Sequence, residues 1–122
     1  TSAPHITGDY FYRNKKKRGM MFEFSESESL WIRRISIIST FYFIRKNEFS
    51  ETLEIAKTLI NDEQDLIHKA VGWMLREVYK RDKELVKTFL RSNYEQLPRV
   101  MLRYAIEKME KVERIQYLKG SF

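Results

Sequence analysis

Trp73 is a tryptophan set among cations in a stretch with the periodicity of an amphipathic helix. The apolar stripe of that helix is formed by Ile67, Ala70, Val71, Met74 and Val78. Trp73 projects about 120° from the centre of the stripe, in the company of Lys69, Arg76 and Lys80. Such a tryptophan can stack on a base or sugar, or it can fill the seam between packed helices. Spacing alone leaves both interpretations open.

Arg34 is the opposite case, a cation on a helix that is apolar nearly all the way round. Leu30, Ile37, Ile38 and Phe41 surround its position. It is either a core arginine satisfied by a carboxylate or a side chain that reaches past the apolar rim to a phosphate, whose geometry the planar guanidinium matches. The sequence does not separate these two roles.

The charge of the chain favours a polyanionic partner. Its 122 residues carry a formal net charge of +6, and lysine and arginine bind nucleic acids by neutralising phosphates. Residues 47–65 are acidic, with Lys57 as the single cation, whereas cations outnumber carboxylates in residues 66–122. This segregation predicts a basic face and an opposed acidic one. The cationic run Arg13–Arg18 is either a further phosphate contact or a solvated loop.

Several chemistries lack the residues they need. The chain has no cysteine and two histidines, His5 and His68, so neither a disulfide nor a Cys/His metal site is expected. We interpret both histidines as capping or packing residues. No glycine-rich phosphate loop or nucleophile motif is present, and we expect no cofactor. No apolar run could span a bilayer, and no signal-peptide pattern is visible, which favours a cytoplasmic protein.

The elements that position these residues are helices. Glycine and proline are few and apolar residues recur every three or four positions, which predicts a single all-α domain over residues 1–122. The pattern predicts helices at 3–13, 19–26, 29–46, 50–61, 65–80, 83–92, 98–109 and 111–119. Ser50 and Asp82 are predicted N-caps, Pro98 a first helical residue and Gly120 a left-handed helix end.

Three of these helices begin alike and carry a cation at a regular interval. Arg34, Lys69 and Arg103 lie 35 and 34 residues apart. A period of this length, with two helices in each unit, is typical of an α-solenoid. Equivalent helices then line one concave surface, and each repeat presents a basic side chain to it. We expect this surface to bind duplex DNA.

Five segments in the same order resemble the HEAT-like-repeat DNA alkylation repair enzymes, the alkylpurine DNA glycosylases of the D type. They are residues 2–6, 30–34, 43–46, 65–77 and 98–107. The resemblance implies a C-shaped helical superhelix that holds duplex DNA in a basic cleft and excises cationic N3- and N7-alkylpurines. It also implies that Arg34 holds a phosphate and that Trp73 is one of two tryptophans at the sugar of the lesion. Lys69, Arg76 and Arg103 are the further expected DNA contacts.

One departure limits what the resemblance implies about catalysis. In that family the aspartate that stabilises the developing oxocarbenium charge belongs, with the second tryptophan, to a Trp-Asp-x-Val-Asp segment just before the Ser2–Ile6 stretch. We therefore expect the chain to be the C-terminal part of such an enzyme, without a catalytic residue of its own. Asp9 lies too far along the next helix to replace the aspartate. The alternatives are a non-catalytic helical-repeat module that binds duplex or branched DNA, and a protein-binding solenoid.

Overall fold

The computed structural model describes the backbone of residues 18–122 and the side chains of residues 21–122. This part of the chain consists of helices and turns without strands. The helices are α1 (Arg18–Ser25), α2 (Leu30–Arg45), α3 (Ser50–Leu59), α4 (Asp65–Tyr79), α5 (Lys83–Ser92), α6 (Arg99–Ala105) and α7 (Lys111–Lys119), with a 3₁₀ turn at Tyr94–Gln96. The predicted all-α class is confirmed. The predicted helix at 3–13 lies outside the described residues.

The helices form two rows. In the inner row, α2 packs against α4 and α4 packs against α6, while α3 packs against both α2 and α4, and α5 packs against α4. The inner helices begin at Leu30, Asp65 and Arg99, which is the predicted spacing of 35 and 34 residues. The repeat period is therefore present in the fold. None of the described helices has the length and apolarity to cross a bilayer.

The core lies between the rows and is built from the apolar stripes of the helices. On α4 the predicted stripe is confirmed, since Ile67, Val71, Met74 and Val78 are fully buried and Ala70 nearly so. Its burial fixes the rotation of α4 about its axis. The remaining face of α4 is thereby held outward.

The helix ends show which local signals were sufficient. The Asp82 side chain accepts a hydrogen bond from the Leu85 amide at 3.2 Å, and Gly120 takes φ 71° at the end of α7, so both predictions are confirmed. The prediction for Ser50 is wrong by one residue. Phe49 packs against the core and takes the cap position, and Ser50 is the first helical residue.

Helix α6 is shorter than predicted. Pro98 is its N-cap and Ala105 its last residue, and a turn follows. Ile106 and Met109 are buried on that turn, where the Met109 amide donates to the Ile106 carbonyl at 2.9 Å. The periodicity predicted a helix that continues to residue 109, whereas the structure buries Ile106 and Met109 on a turn.

Helix α7 is joined to the inner row by a polar cluster. The Glu113 carboxylate accepts from Lys87 Nζ at 2.8 Å and from the Tyr79 hydroxyl at 3.4 Å. The ion pair and hydrogen bond with Glu113 raise the pKa of Lys87 against the opposing effect of burial. Burial, followed by the Glu113 charge, raises the pKa of Tyr79. Glu113 thus connects α4, α5 and α7.

Candidate nucleic-acid interface

A shallow cavity of about 250 Å³ opens on the inner row between α2, α4 and α6. Its lining residues are Arg34, Leu66, Lys69, Ala70, Trp73, Arg76 and Tyr104. Of these described residues, three are cations, two are aromatic, and none is a carboxylate. The structure therefore brings together four of the five predicted DNA contacts, from segments that lie up to 42 residues apart in the sequence.

Helix α4 supplies most of this lining because of its spacing. Lys69, Trp73 and Arg76 are four and three residues apart, so they share one face of the helix. The buried stripe on the opposite side holds that face toward the cavity. Lys69 is exposed and has no hydrogen bond or ion pair to another described residue. Its ammonium group is available to an anion.

Arg34 enters the cavity from α2 and is half-buried. It makes no hydrogen bond or ion pair with any residue in the described part of the chain. The role of core arginine belongs instead to its neighbour Arg33. Arg33 Nε donates to Asp62 Oδ2 at 2.6 Å, and Nη1 donates to the carbonyls of Ser27 and Glu28. The carboxylate-bound role that the sequence left open for Arg34 is filled by Arg33.

Trp73 lies both in a seam between helices and at the cavity. Its ring is half-buried and lies 6.1 Å from the Phe41 ring, centroid to centroid, at a tilt of 59°. One side of the indole thus packs in the seam between α4 and α2, while the residue also lines the cavity. Since packing on Phe41 restricts the ring, the part that faces the cavity is held in place.

Arg76 is the most constrained cation of the cavity. Its Nη1 pairs with Glu107 Oε2, and the two side chains are 20% and 54% exposed, respectively. Its Nε is buried and has no hydrogen-bond partner in the part of the chain that the structure describes. A buried donor left unpaired costs free energy, so the guanidinium is incompletely satisfied in this arrangement.

Gly72 sets the distance between α4 and α6. A Cβ at this position would lie 2.5 Å from Tyr104 Cβ and 2.7 Å from the Met101 carbonyl oxygen. No side chain fits there, so the two backbones approach closely. The approach places Tyr104 at the cavity and Glu107 within reach of Arg76.

Arg103 is the predicted contact that the structure does not bring to the cavity. It is exposed on α6, and its neighbour Tyr104 lines the cavity instead. Arg103 has no hydrogen bond or ion pair with the described residues. It is therefore an exposed cation beside the cavity rather than a part of its lining.

The other candidate residues are the two histidines and the cationic run Arg13–Arg18. His68 Nε2 lies 2.5 Å from the Asp62 carbonyl oxygen in the loop between α3 and α4, which agrees with a packing role. His5 and the side chains of the run Arg13–Arg18 lie outside the described residues. Within the described residues, no group of three or more histidine, aspartate or glutamate side chains could hold a metal ion.

Sequence reasoning missed Tyr104, Gly72 and Glu107. Tyr104 follows Arg103, the repeat equivalent of Lys69, so the repeat register could have pointed to it. A glycine inside an otherwise good helical pattern is a recognised sign of close packing, and Gly72 carried that signal. Glu107 had none, because its partner lies 31 residues earlier in the chain.

Comparison with known families gives one match. A family model described as DNA alkylation repair enzyme matches residues 1–109, which includes every residue of the cavity. No curated protein and no solved structure matches the chain.

Proposed function

We propose that this chain, which belongs to the DNA alkylation repair enzyme family, binds duplex DNA across the inner row of helices. The observation that carries the proposal is the cavity between α2, α4 and α6, where Arg34 and Lys69 have no partner among the described residues and surround Trp73. The inner row is taken as the concave surface of a HEAT-like superhelix.

The cavity suits a phosphate and sugar better than a separate small molecule. Its volume of about 250 Å³ lies below the roughly 300 to 1,000 Å³ of typical small-molecule sites. A single backbone unit of DNA needs less room, because the rest of the duplex lies outside. Arg34 and Lys69 neutralise phosphates, and the Trp73 ring provides an apolar surface for a sugar. Arg103 is an outlying contact to the same backbone.

The proposed substrate is DNA that carries N3- or N7-alkylpurines. Such a purine is cationic, so its bond to the sugar C1′ is already weakened, and the base leaves with the bonding electrons as water adds to C1′. Cations repel a cationic base, so Arg34, Lys69 and Arg76 are suited to the flanking phosphates and not to the base itself. This arrangement supports recognition through the backbone of the lesion and does not require a base-binding pocket.

A non-catalytic DNA-binding module is the second candidate. The observation that favours it is the lining of the cavity, in which the described residues include no carboxylate. Stabilising an oxocarbenium ion needs a negative group close to the sugar. Among the described residues, Glu107 is the one carboxylate that forms an ion pair with a lining residue, and it is already engaged by Arg76.

The salt dependence of DNA binding tests the proposal. We expect the affinity for a short duplex to fall steeply as salt rises. When Arg34 and Lys69 are both replaced by alanine, the slope of log K against log salt should become shallower by roughly two, because about 0.9 counterion is released for each phosphate contact. Lys57 is the matched control, an exposed lysine on α3 outside the inner row. Equal effects of Lys57→Ala and Lys69→Ala would place DNA elsewhere on the protein.

A further inference from the structure

We infer that Glu107 is a positioning residue that holds Arg76 in the free protein and releases it to a DNA phosphate. The inference rests on the proposed function, because it concerns the same cavity. In the free protein Glu107 restrains Arg76, one of the three cations that line the cavity.

The starting arrangement is an ion pair at the wall of the cavity. Arg76 lines the cavity together with Arg34 and Lys69, yet its Nη1 faces Glu107 Oε2. Arg76 is thus the one cation among these three that has an anionic partner in the described residues. Without its partner, Glu107 would add a negative charge beside a site that is otherwise suited to phosphate.

The pair leaves the guanidinium only partly satisfied. Arg76 Nε is buried and has no acceptor among the described residues, so the fork of donors that could bind two oxygens of one group binds a single carboxylate oxygen there. A phosphate can accept two parallel N–H bonds from arginine. Turning Arg76 from Glu107 toward a phosphate therefore exchanges a single contact for a bidentate one and gives Nε an acceptor.

Glu107 is placed so that its release costs little. It lies on the turn after α6, and its side chain is 54% exposed, so water can solvate the carboxylate once Arg76 leaves. Its backbone is held separately, since the Glu107 carbonyl accepts from Arg114 Nη1 at 3.4 Å. Only the side chain needs to move. In the free protein the pair lowers the positive potential of the cavity and weakens its attraction for DNA.

The test compares DNA binding by Glu107→Gln with binding by the wild-type chain. The amide keeps the size of the side chain but removes its charge, so Arg76 is free to bind phosphate. We expect affinity at low salt to become about two- to fivefold tighter, the range that corresponds to the contribution of an exposed ion pair. We expect the salt slope to stay nearly the same, because Arg76 contacts a phosphate in both complexes and only the ion pair of the free protein is lost. Glu54→Gln is the control, since Glu54 is exposed on α3 and the charge change is the same.

A second background separates action through Arg76 from general repulsion. In Arg76→Met, which keeps the apolar stem, Glu107→Gln should no longer change the affinity. An unchanged affinity for Glu107→Gln in the wild-type background, or an equal gain for Glu54→Gln, would overturn the inference. A gain that persists in Arg76→Met would also overturn it, because Glu107 would then act directly on DNA. If Arg34→Ala weakens binding while Glu107→Gln leaves it unchanged, this inference fails and the proposed function stands.

Discussion

Arg33 and Arg34 are adjacent in α2 but have different surroundings, because Arg33 Nε donates to Asp62 Oδ2 at 2.6 Å whereas Arg34 lines the cavity without a partner in the described residues. Successive residues on a helix point about 100° apart. One arginine therefore reaches back to the α3–α4 loop and the other reaches the inner surface. Their separation allows stability and binding to be tested independently.

Replacing each arginine should give opposite results. Arg33→Ala leaves Asp62, whose side chain is 7% exposed, without its partner, and should lower the free energy of unfolding by about 2 to 3 kcal/mol. Arg34→Ala should change that free energy by less than about 0.5 kcal/mol, as for a surface substitution, and weaken DNA binding. Urea unfolding and duplex binding of both variants check this. A destabilised Arg34→Ala would show that Arg34 has a structural role.

Trp73→Ala should affect both stability and binding. The ring is half-buried against Phe41, so we expect a loss of about 2 kcal/mol, below the roughly 3 to 5 kcal/mol for a fully buried aromatic. Trp73→Phe should recover much of the stability. Unfolding curves measure the loss, and binding is measured where each variant is folded. If Trp73→Ala lowers the free energy of unfolding by roughly 3 to 5 kcal/mol and leaves DNA binding unchanged, Trp73 only fills the seam between helices.

Gly72→Ala should be strongly destabilising for its size. The added Cβ meets the backbone of α6 at 2.7 Å, which cannot move aside as a side-chain tip can, so we expect a loss of about 3 kcal/mol. Gly120→Ala is the control, because its φ of 71° imposes the roughly 1 to 2 kcal/mol cost of a left-handed residue and its Cβ would meet the Tyr94 ring at 3.1 Å instead of a backbone atom. Thermal melts compare them. Similar melting temperatures would contradict the close approach of α4 and α6.

The periodicity of the sequence predicted the part of the cavity that lies on α4. Lys69, Trp73 and Arg76 share one face of α4 because of their spacing, and the buried stripe holds that face outward. Both features follow from the 3.6-residue repeat of the helix. The period of the inner helices likewise follows from the sequence. These features depend on residues close to one another in the chain, where spacing determines geometry.

Contacts between residues that lie far apart in the chain could not be predicted from spacing. Nothing in the spacing of Arg33 and Arg34 shows which one meets Asp62, since Asp62 lies 29 residues after Arg33. The pairing of Arg76 with Glu107 and the distance that Gly72 permits between α4 and α6 depend on how helices pack. Phe49 displaced Ser50 as a cap for the same reason, because burial of a large ring outweighed a local preference.

The cluster around Glu113 should weaken at alkaline pH. Both Lys87 and Tyr79 have a raised pKa in the folded chain, above their ordinary values of 10.5 and 10.0. A raised pKa contributes stability that is present below the ordinary value and is lost as pH rises through the folded value. The free energy of unfolding should therefore fall over this range, and less so in Glu113→Gln. Urea unfolding at stepped alkaline pH measures it, and identical pH profiles would contradict the cluster.

Release of 7-methylguanine by the chain of residues 1–122 separates the two proposed functions. The described lining of the cavity holds cations and aromatics without a carboxylate, so the non-catalytic candidate predicts that no carboxylate stabilises the charge on the sugar. Chromatography of bases released from methylated DNA should show no 7-methylguanine above the spontaneous level. Release well above that level would show that a carboxylate of this chain reaches the lesion.

A map of the residues that duplex DNA contacts tests the assignment of the inner cavity to DNA most directly. In an isotope-labelled chain titrated with a short duplex, amide resonances around Arg34, residues 66–76 and Tyr104 should shift together, while those of the outer helices α3 and α5 stay in place. The shifts should disappear at high salt, because phosphate contacts dominate binding. Shifts confined to α3 and α5, with Arg34 and Lys69 unaffected, would contradict the assignment of the inner cavity to DNA.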